Sequence, residues 1–348
     1  MSFLIRISRG KFYLFQRSAE RCKNVSTDRP RKLTAIDRGK LMSLPPRLSV
    51  IIPHLNEPDD LRRCLLALEA QRSDGIPFEI IVVDNGSTEM PEAACRVATD
   101  VNLQRELARG PGPARNRGAS IARASLLAFI DADCVAQAGW VKAIVDFMDG
   151  HREIDFIGGD IRIIPADPGR LTGVEAYENV YSYRNQSYVE RHGFSATGNM
   201  AVRAEVFGKV GPFGGIATME DTEWGQRATA QGYRIAYLPT AKVLTASCKS
   251  FAELTRRWDR HVAHEFRNVR HHPSGTLLWL ANSALVAASP LGETFRIMRS
   301  DRISGLRSRC LALVCLTRIR LYRARRMFGL ALRDNTAATV EAWNREKS

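Results

Sequence analysis

The stretch LLAFIDADC, residues 126–134, sets two carboxylates, Asp131 and Asp133, directly after an apolar run. A third, Asp84, ends FEIIVVD (78–84) ahead of Asn85-Gly86-Ser87, and Glu220 and Asp221 follow the glycine-rich GPFGGIATM. Carboxylates leave water at a cost unless a cation or hydrogen-bond donors meet them. If the Asp84 and Asp131 strands are neighbours, three carboxylates converge at one sheet edge and repel one another. A divalent ion relieves that repulsion, and carboxylate with phosphate oxygens suits Mg²⁺ or Mn²⁺. Arg109, Arg115 and Arg117 surround the glycine-proline turn at 110–113. A guanidinium there can meet a phosphate with directed donors, helped by a helix terminus. Glu220 and Asp221 are ordinary stabilisers of a first helical turn, and their context also permits a functional role.

The elements that would position these groups read as alternating strands and helices. LSVIIP (48–53), FEIIVVD (78–84), LLAFI (126–130) and FIGGDIRII (156–164) read as strands, and a further strand is expected near 100–103. Helices are expected at 59–71, 113–123, 140–148, 174–184 and 220–229, with YRIAYLP (233–239) a strand. Such alternation predicts an α/β protein built on a parallel sheet, whose strand ends are where ligands bind.

Composition excludes several classes. No GxGxxG follows the first strand, where the chain reads PHLNEPDD (53–60), and no GxxxxGK[ST] loop is present. The seven cysteines form no CxxC pair, which fits reduced thiols in a cytoplasmic compartment. The net charge of +14 is concentrated: eleven Lys or Arg against three acids in residues 1–41, and ten Arg against Asp301 between Arg296 and Arg326. Such ends attract anionic surfaces. Zinc-finger spacing and the aromatic-basic pattern of an RNA-binding sheet are absent, so nucleic acid is not an expected partner.

Five segments carry a resemblance together. SVIIPHLNE (49–57), IIVVDNGSTE (80–89), GPGPARNRGA (110–119), FIDADC (129–134) and GNMAVRAEVFGKVGPF followed by MEDTEWGQRATAQGYRIAYLP (219–239) resemble glycosyltransferase family 2. The resemblance implies a GT-A type, Rossmann-like, mostly parallel sheet flanked by helices, with a helical C-terminal extension. It implies an inverting transferase that takes one sugar from a nucleotide-diphosphate donor, UDP-linked by the family's habit. Pro53 and Glu57 would line base and ribose, Asp84 would hydrogen-bond the base, and Arg115 would sit near the nucleotide. Asp131 would contact ribose or sugar, and Asp133 would bind the Mn²⁺ or Mg²⁺ that bridges the phosphates. Gly198 and Asn199 would shape the donor-sugar and acceptor region, with Glu220 on the acceptor side and Asp221 as general base. His54 departs from the family pattern, and VLTASCKS lacks the histidine often found there. RRWDRH (256–261) resembles the Gln-x-x-Arg-Trp motif of polymer synthases only loosely, which favours transfer of single sugars.

Two other readings share these features: a nucleotidyltransferase, and a non-catalytic nucleotide-sugar-binding scaffold. The division expected is a basic N-terminal extension (1–46), a glycosyltransferase domain (47–248) and an Arg-rich helical region (249–348). The extension reads as a mobile or membrane-facing tail, or as sequence ahead of the folded chain, which Met42 could begin. The apolar runs at 277–288 and 311–316 are too short to span a bilayer, but the Arg-rich stretch from Arg318 reads as an amphipathic helix for an anionic membrane surface. The acceptor is then a saccharide or a lipid-linked molecule, and the place is the cytoplasm or the cytoplasmic membrane face. Histidines 261, 264, 271 and 272 read as surface or core residues rather than metal ligands.

Overall fold

Strands β1 (Leu48–His54) and β2 (Phe78–Asp84) pair in parallel register, and every residue in them except Pro53 is buried. The computed structural model describes residues 44–167, 169–216, 218–269 and 275–332; the basic segment before residue 44, His271 and His272 lie outside the described residues. Between the two strands, α1 (Pro58–Ala70) lays Leu61, Cys64, Leu65 and Leu68 on the sheet at the spacing of one helix face. All four are wholly inaccessible, and truncating one of these leucines to alanine would cost about 2–5 kcal/mol. A short α2 (Glu92–Cys95) leads to β3 (Val101–Arg105), which pairs parallel with β2. Helix α3 (Pro111–Ile121) then returns the chain to β4 (Leu126–Ile130), parallel to β1. A Cβ on Gly118 would stand 2.4 Å from Ile51 Cγ2, so the bare backbone of α3 rests directly on the Ile51 side chain of β1.

The remaining strands change the character of the sheet. After β5 (Cys134–Ala136) come α4 (Trp140–Gly150), β6 (Phe156–Ile164), α5 (Gly173–Tyr181), α6 (Asn185–His192) and β7 (Asn199–Arg203). Helix α7 (Ala204–Val210), α8 (Glu220–Ala230) and β8 (Ile235–Ala246) complete this part. The eight strands are ordered β3-β2-β1-β4-β7-β6-β8-β5. Strand β7 runs antiparallel to both β4 and β6, and β5 antiparallel to β8, while β6 and β8 are parallel. The sheet is therefore mixed, where a mostly parallel one was expected. The physical reason lies in α5 and α6, which leave the carboxyl end of β6 and bring the chain back at that same edge, so β7 has to run in the reverse direction.

Four helices follow: α9 (Phe251–Val269), α10 (Gly275–Ala288), α11 (Pro290–Arg299) and α12 (Leu306–Leu332). Ala176, Tyr177 and Val180 of α5 share one apolar cluster with Leu254, Ile297, Leu316 and Ile319. The basic helix expected near residue 318 is part of α12. One side of it is internal, with Arg320 and Arg323 buried, and the Arg323 guanidinium lies 3.7 Å from the Trp258 ring centroid. Among the described residues no helix is long and apolar enough to cross a membrane.

Candidate active site

The carboxyl ends of β2, β1 and β4 lie side by side because β1 pairs with both neighbours in parallel. His54 stands in register with Asp84, and Asp131 follows the last residue of β4. Asp84 is fully buried. Its Oδ1 accepts from His54 Nδ1 at 3.1 Å, and its Oδ2 accepts from the Gly86 and Ser87 N–H groups at 3.1 and 3.0 Å. His54 Nε2 accepts from the Glu57 N–H at 3.2 Å, which assigns the ring proton to Nδ1, facing Asp84. Burial pushes the Asp84 carboxyl up, but donors from Ser87, His54 and Gly86 outweigh it and hold it below its usual range. Asp84 thus ties together the loops after β1 and β2. The half-buried Pro53 and Glu57 belong to the end of β1 and its loop, and Asn56 N–H donates to Ser87 Oγ at 2.8 Å across the same gap.

Asn85 reads in the sequence only as a turn residue. In the fold its amide donates to the Glu106 and Ala108 carbonyls at 3.0 and 2.8 Å, and its Oδ1 accepts from Gly110 N–H at 2.7 Å. It therefore sets the entry to α3. Gly110 has φ 118°, a backbone state glycine adopts without strain. A Cβ on Gly112 would lie 2.1 Å from the Gly214 carbonyl oxygen, so the loop before α8 rests directly on this turn.

Arg115, 3% exposed, projects from α3 into the centre of the site. Its Nη2 donates to Asp131 Oδ1 at 2.6 Å and its Nη1 to Glu220 Oε1 at 3.2 Å. Burial works against its charge, but Asp131, Glu220 and Asp221 outweigh burial and raise its pKa. Arg115 is an internal tie between the end of β4 and the start of α8, with two nitrogens already on carboxylates. Arg109 is exposed, and Arg117 donates to Gln104 Oε1 at 3.1 Å.

Asp221 is half-buried and its carboxyl is pushed up to about 6, by burial first and the Glu220 charge second, against the Thr222 N–H and Arg115. A carboxyl tuned toward neutrality can both take and give a proton under working conditions. Gly198 touches the other carboxylate: a Cβ there would stand 2.9 Å from Asp131 Oδ2. Asn199 turns its side chain into the sheet. It accepts from Trp140 Nε1 and donates to the Asp160 and Ala241 carbonyls, each at 2.9 Å, so it braces β6, β7 and β8.

Helix α9 contributes two residues that spacing along the chain does not reveal. Arg260 Nη2 lies 3.6 Å from Glu220 Oε2. Arg257 donates to the fully buried Glu178 at 2.6 Å, and the negative groups around it, Asp133 among them, overcome burial to raise its pKa. The only signal was the Arg-Trp pair inside RRWDRH. His261 and His264 are pushed down to about 3 and about 4 by burial and neighbouring arginines, so both are neutral near pH 7.

No group of three or more His, Cys, Asp or Glu capable of holding a metal occurs among the described residues. The donor chemistry nevertheless fits a hard divalent ion carried in by a diphosphate. Asp133 is half-buried in the turn after β4 and accepts a weak thiol contact from Cys134 at 3.6 Å. Mg²⁺-like ions use one or two carboxylates, with phosphate oxygens and water completing the shell.

These features define a GT-A-like α/β fold with an Asp-x-Asp turn at the carboxyl edge of its sheet. The mannosyltransferase PcManGT from Pyrobaculum calidifontis, solved in complex with GDP-Man and Mn²⁺, superposes with a TM-score of 0.53 at 20% identity, over 84% of this chain and 89% of that one. Residues 49–211 match the model of Glycosyl transferase family 2. Glycosyltransferase AglE of Haloferax volcanii is 30% identical over 198 residues, 55% of this chain and 64% of AglE. A PGL/p-HBAD biosynthesis glycosyltransferase of Mycobacterium bovis is 28% identical over 177 residues, 48% of this chain and 63% of that protein. The chain thus spans just under two thirds of the length of either relative.

Proposed function

We propose that this protein transfers a single sugar, with inversion, from a nucleotide-diphosphate donor to a hydroxyl of a saccharide or lipid-linked acceptor. The observation that carries the reading is the arrangement around Arg115. One buried guanidinium joins Asp131, beside the Asp-x-Asp turn, to Glu220, the neighbour of a carboxyl raised to about 6.

In this reading Asp221 takes the proton from the acceptor hydroxyl as its oxygen attacks the anomeric carbon and the bond to the diphosphate breaks. One base acting on the incoming hydroxyl corresponds to direct displacement, unlike retaining hydrolases that use two opposed carboxylates. Asp133 would hold Mn²⁺ or Mg²⁺, which when bound stabilises the charge developing on the departing diphosphate. Glu57, Pro53 and the Asp84-held loops form the nucleotide side. A uracil base follows from the family resemblance, while the Pyrobaculum neighbour was solved with a guanine nucleotide. Gly198 leaves room beside Asp131 for the sugar. The exposed Leu277, Leu278 and Leu285 on α10, beside a strongly basic C-terminal region, suit attachment to an anionic membrane surface.

The test is Asp221→Asn assayed with a panel of nucleotide sugars and Mn²⁺. Transfer should fall by roughly a hundredfold or more while donor binding is retained. Transfer at the wild-type rate removes Asp221 from the base role.

A further inference from the structure

A groove of about 830 Å³ opens between α6 and α11. That volume is in the range of ligand sites, and none of the residues assigned above to the donor lines it. Arg184, Arg296, Arg299 and Arg302 all face it, against the two acids Glu293 and Asp301. Arg296 Nη1 is 3.0 Å from Glu293, Arg302 Nη2 is 3.6 Å from Asp160, and Arg299 lies over the Phe295 ring at 4.0 Å. The positive charges also burden one another. Burial and then Arg296 push Arg184 below its usual range, and burial and then Arg162 do the same to Arg302. Phe295 lines the groove, and α11 also exposes Leu291 and Met298; the three are 62%, 86% and 49% exposed.

The groove connects to Asp221 through α6. Gln186 and Ser187 line it, and the next residue, Tyr188, stacks on Phe194 with centroids 5.0 Å apart. A Cβ on Gly225 would lie 2.5 Å from Phe194 Cβ, so this aromatic pair rides on α8 one turn after Asp221. The Tyr188 phenol is within electrostatic reach of Asp221 as well as of Arg184 and Arg302.

We propose that this groove holds the phosphate of a phosphorylated amphiphilic acceptor, its head among Arg184, Arg296, Arg299 and Arg302 and its chain along Leu291, Phe295 and Met298. This rests on the glycosyltransferase reading and narrows its acceptor class. The four guanidinium groups supply directed donors for phosphate oxygens. An acceptor anchored there extends past Tyr188 toward the base.

The test uses dodecyl phosphate below its micellar concentration as probe, with inorganic phosphate and dodecyl maltoside as comparisons, titrated calorimetrically into the full chain. Dodecyl phosphate should bind, inorganic phosphate much more weakly, and the maltoside not measurably. Arg299→Gln combined with Arg302→Gln should weaken dodecyl phosphate roughly tenfold or more, and the Lys versions should recover part of the loss. Thermal unfolding checks that the variants are folded. Equal binding of phosphate and maltoside amphiphiles, no binding of dodecyl phosphate, or affinity unchanged in folded Gln variants overturns the proposal. Inorganic phosphate binding as tightly as dodecyl phosphate removes the lipid half of it. Nucleotide-sugar binding to the wild-type chain is measured separately, so a failure of the donor reading shows as loss there and not in this titration.

Discussion

Replacing Arg115 by Met keeps an unbranched apolar stem and removes one charge from the middle of the site. Two contacts disappear, to Asp131 at 2.6 Å and to Glu220 at 3.2 Å. Removing one partner of a buried pair costs about 3–5 kcal/mol. Here Asp131 is 40% exposed and water can solvate it, while Glu220 keeps Arg260 at 3.6 Å, so the low end applies. About 3 kcal/mol corresponds to a melting temperature lower by roughly 4–5 °C in a chain of this size. The second effect falls on Asp221, whose carboxyl at about 6 is held down in part by Arg115. Losing a nearby opposite charge favours the protonated form and raises the pKa, by about one unit. A base must be ionised to act, so activity falls as pH drops through its pKa, and the acidic limb should move from near 6 to near 7. At pH 6.5 that shift alone reduces the ionised fraction roughly threefold, and at pH 9 it has almost no effect. The assay is nucleotide release from the donor, with water as acceptor, between pH 5 and 9. Glu220→Gln should move the limb the other way, because a like charge is lost. A folded Arg115→Met protein whose limb stays near 6 or moves down refutes this electrostatic account of the base.

Three further outcomes can be checked independently. Asp133→Ala should weaken Mn²⁺-dependent donor binding by roughly tenfold in a metal titration, and full affinity with or without metal would remove Asp133 from the ion. Gly112→Ala should cost about 1–3 kcal/mol of stability and slow transfer, because the new methyl meets the Gly214 carbonyl at 2.1 Å and backbone must move; an unchanged melting curve and rate would contradict the packing. Changing Leu277, Leu278 and Leu285 together to Asp should reduce sedimentation with phosphatidylglycerol vesicles, since all three are exposed on α10; undiminished sedimentation would rule out that face as the membrane contact.

Much of the sheet could be read from the sequence because its strands are apolar runs that stop abruptly in a carboxylate or a turn. FEIIVVD and LLAFI form the strands expected, at the expected bounds, and bring Asp84 and Asp131 to the same edge. Strand direction is another matter. NMAVR is a buried run that looks the same whichever way it pairs, so the antiparallel placement of β7 left no mark. The helix expected over 174–184 ends at Tyr181, and a second begins at Asn185 after Tyr183, whose φ of 48° is a state no propensity argument predicts for tyrosine. Within the site, residue types were legible and their partners were not. Arg115 reads as a phosphate ligand beside a glycine-proline turn, but Glu220, its second partner, is 105 positions away. Asn199 reads as a site residue, and three long-range hydrogen bonds make it a brace. Arg257 and Arg260 reach the site from a helix beyond the last strand, and only tertiary packing brings them there.

The pairing of Glu178 with Arg257 limits how this chain can be cut or recombined. Glu178 belongs to α5, inserted between two strands, whereas its counter-ion arrives with α9. Trimming the protein after β8 would remove Arg257 and uncover the apolar α5 face, while grafting on the tail of another transferase would bury the Glu178 carboxylate without that counter-ion. A chimaeric version would therefore need Glu178 neutralised at the same time, for instance as Gln, and a shortened one would need a polar α5 face in place of Ala176, Tyr177 and Val180.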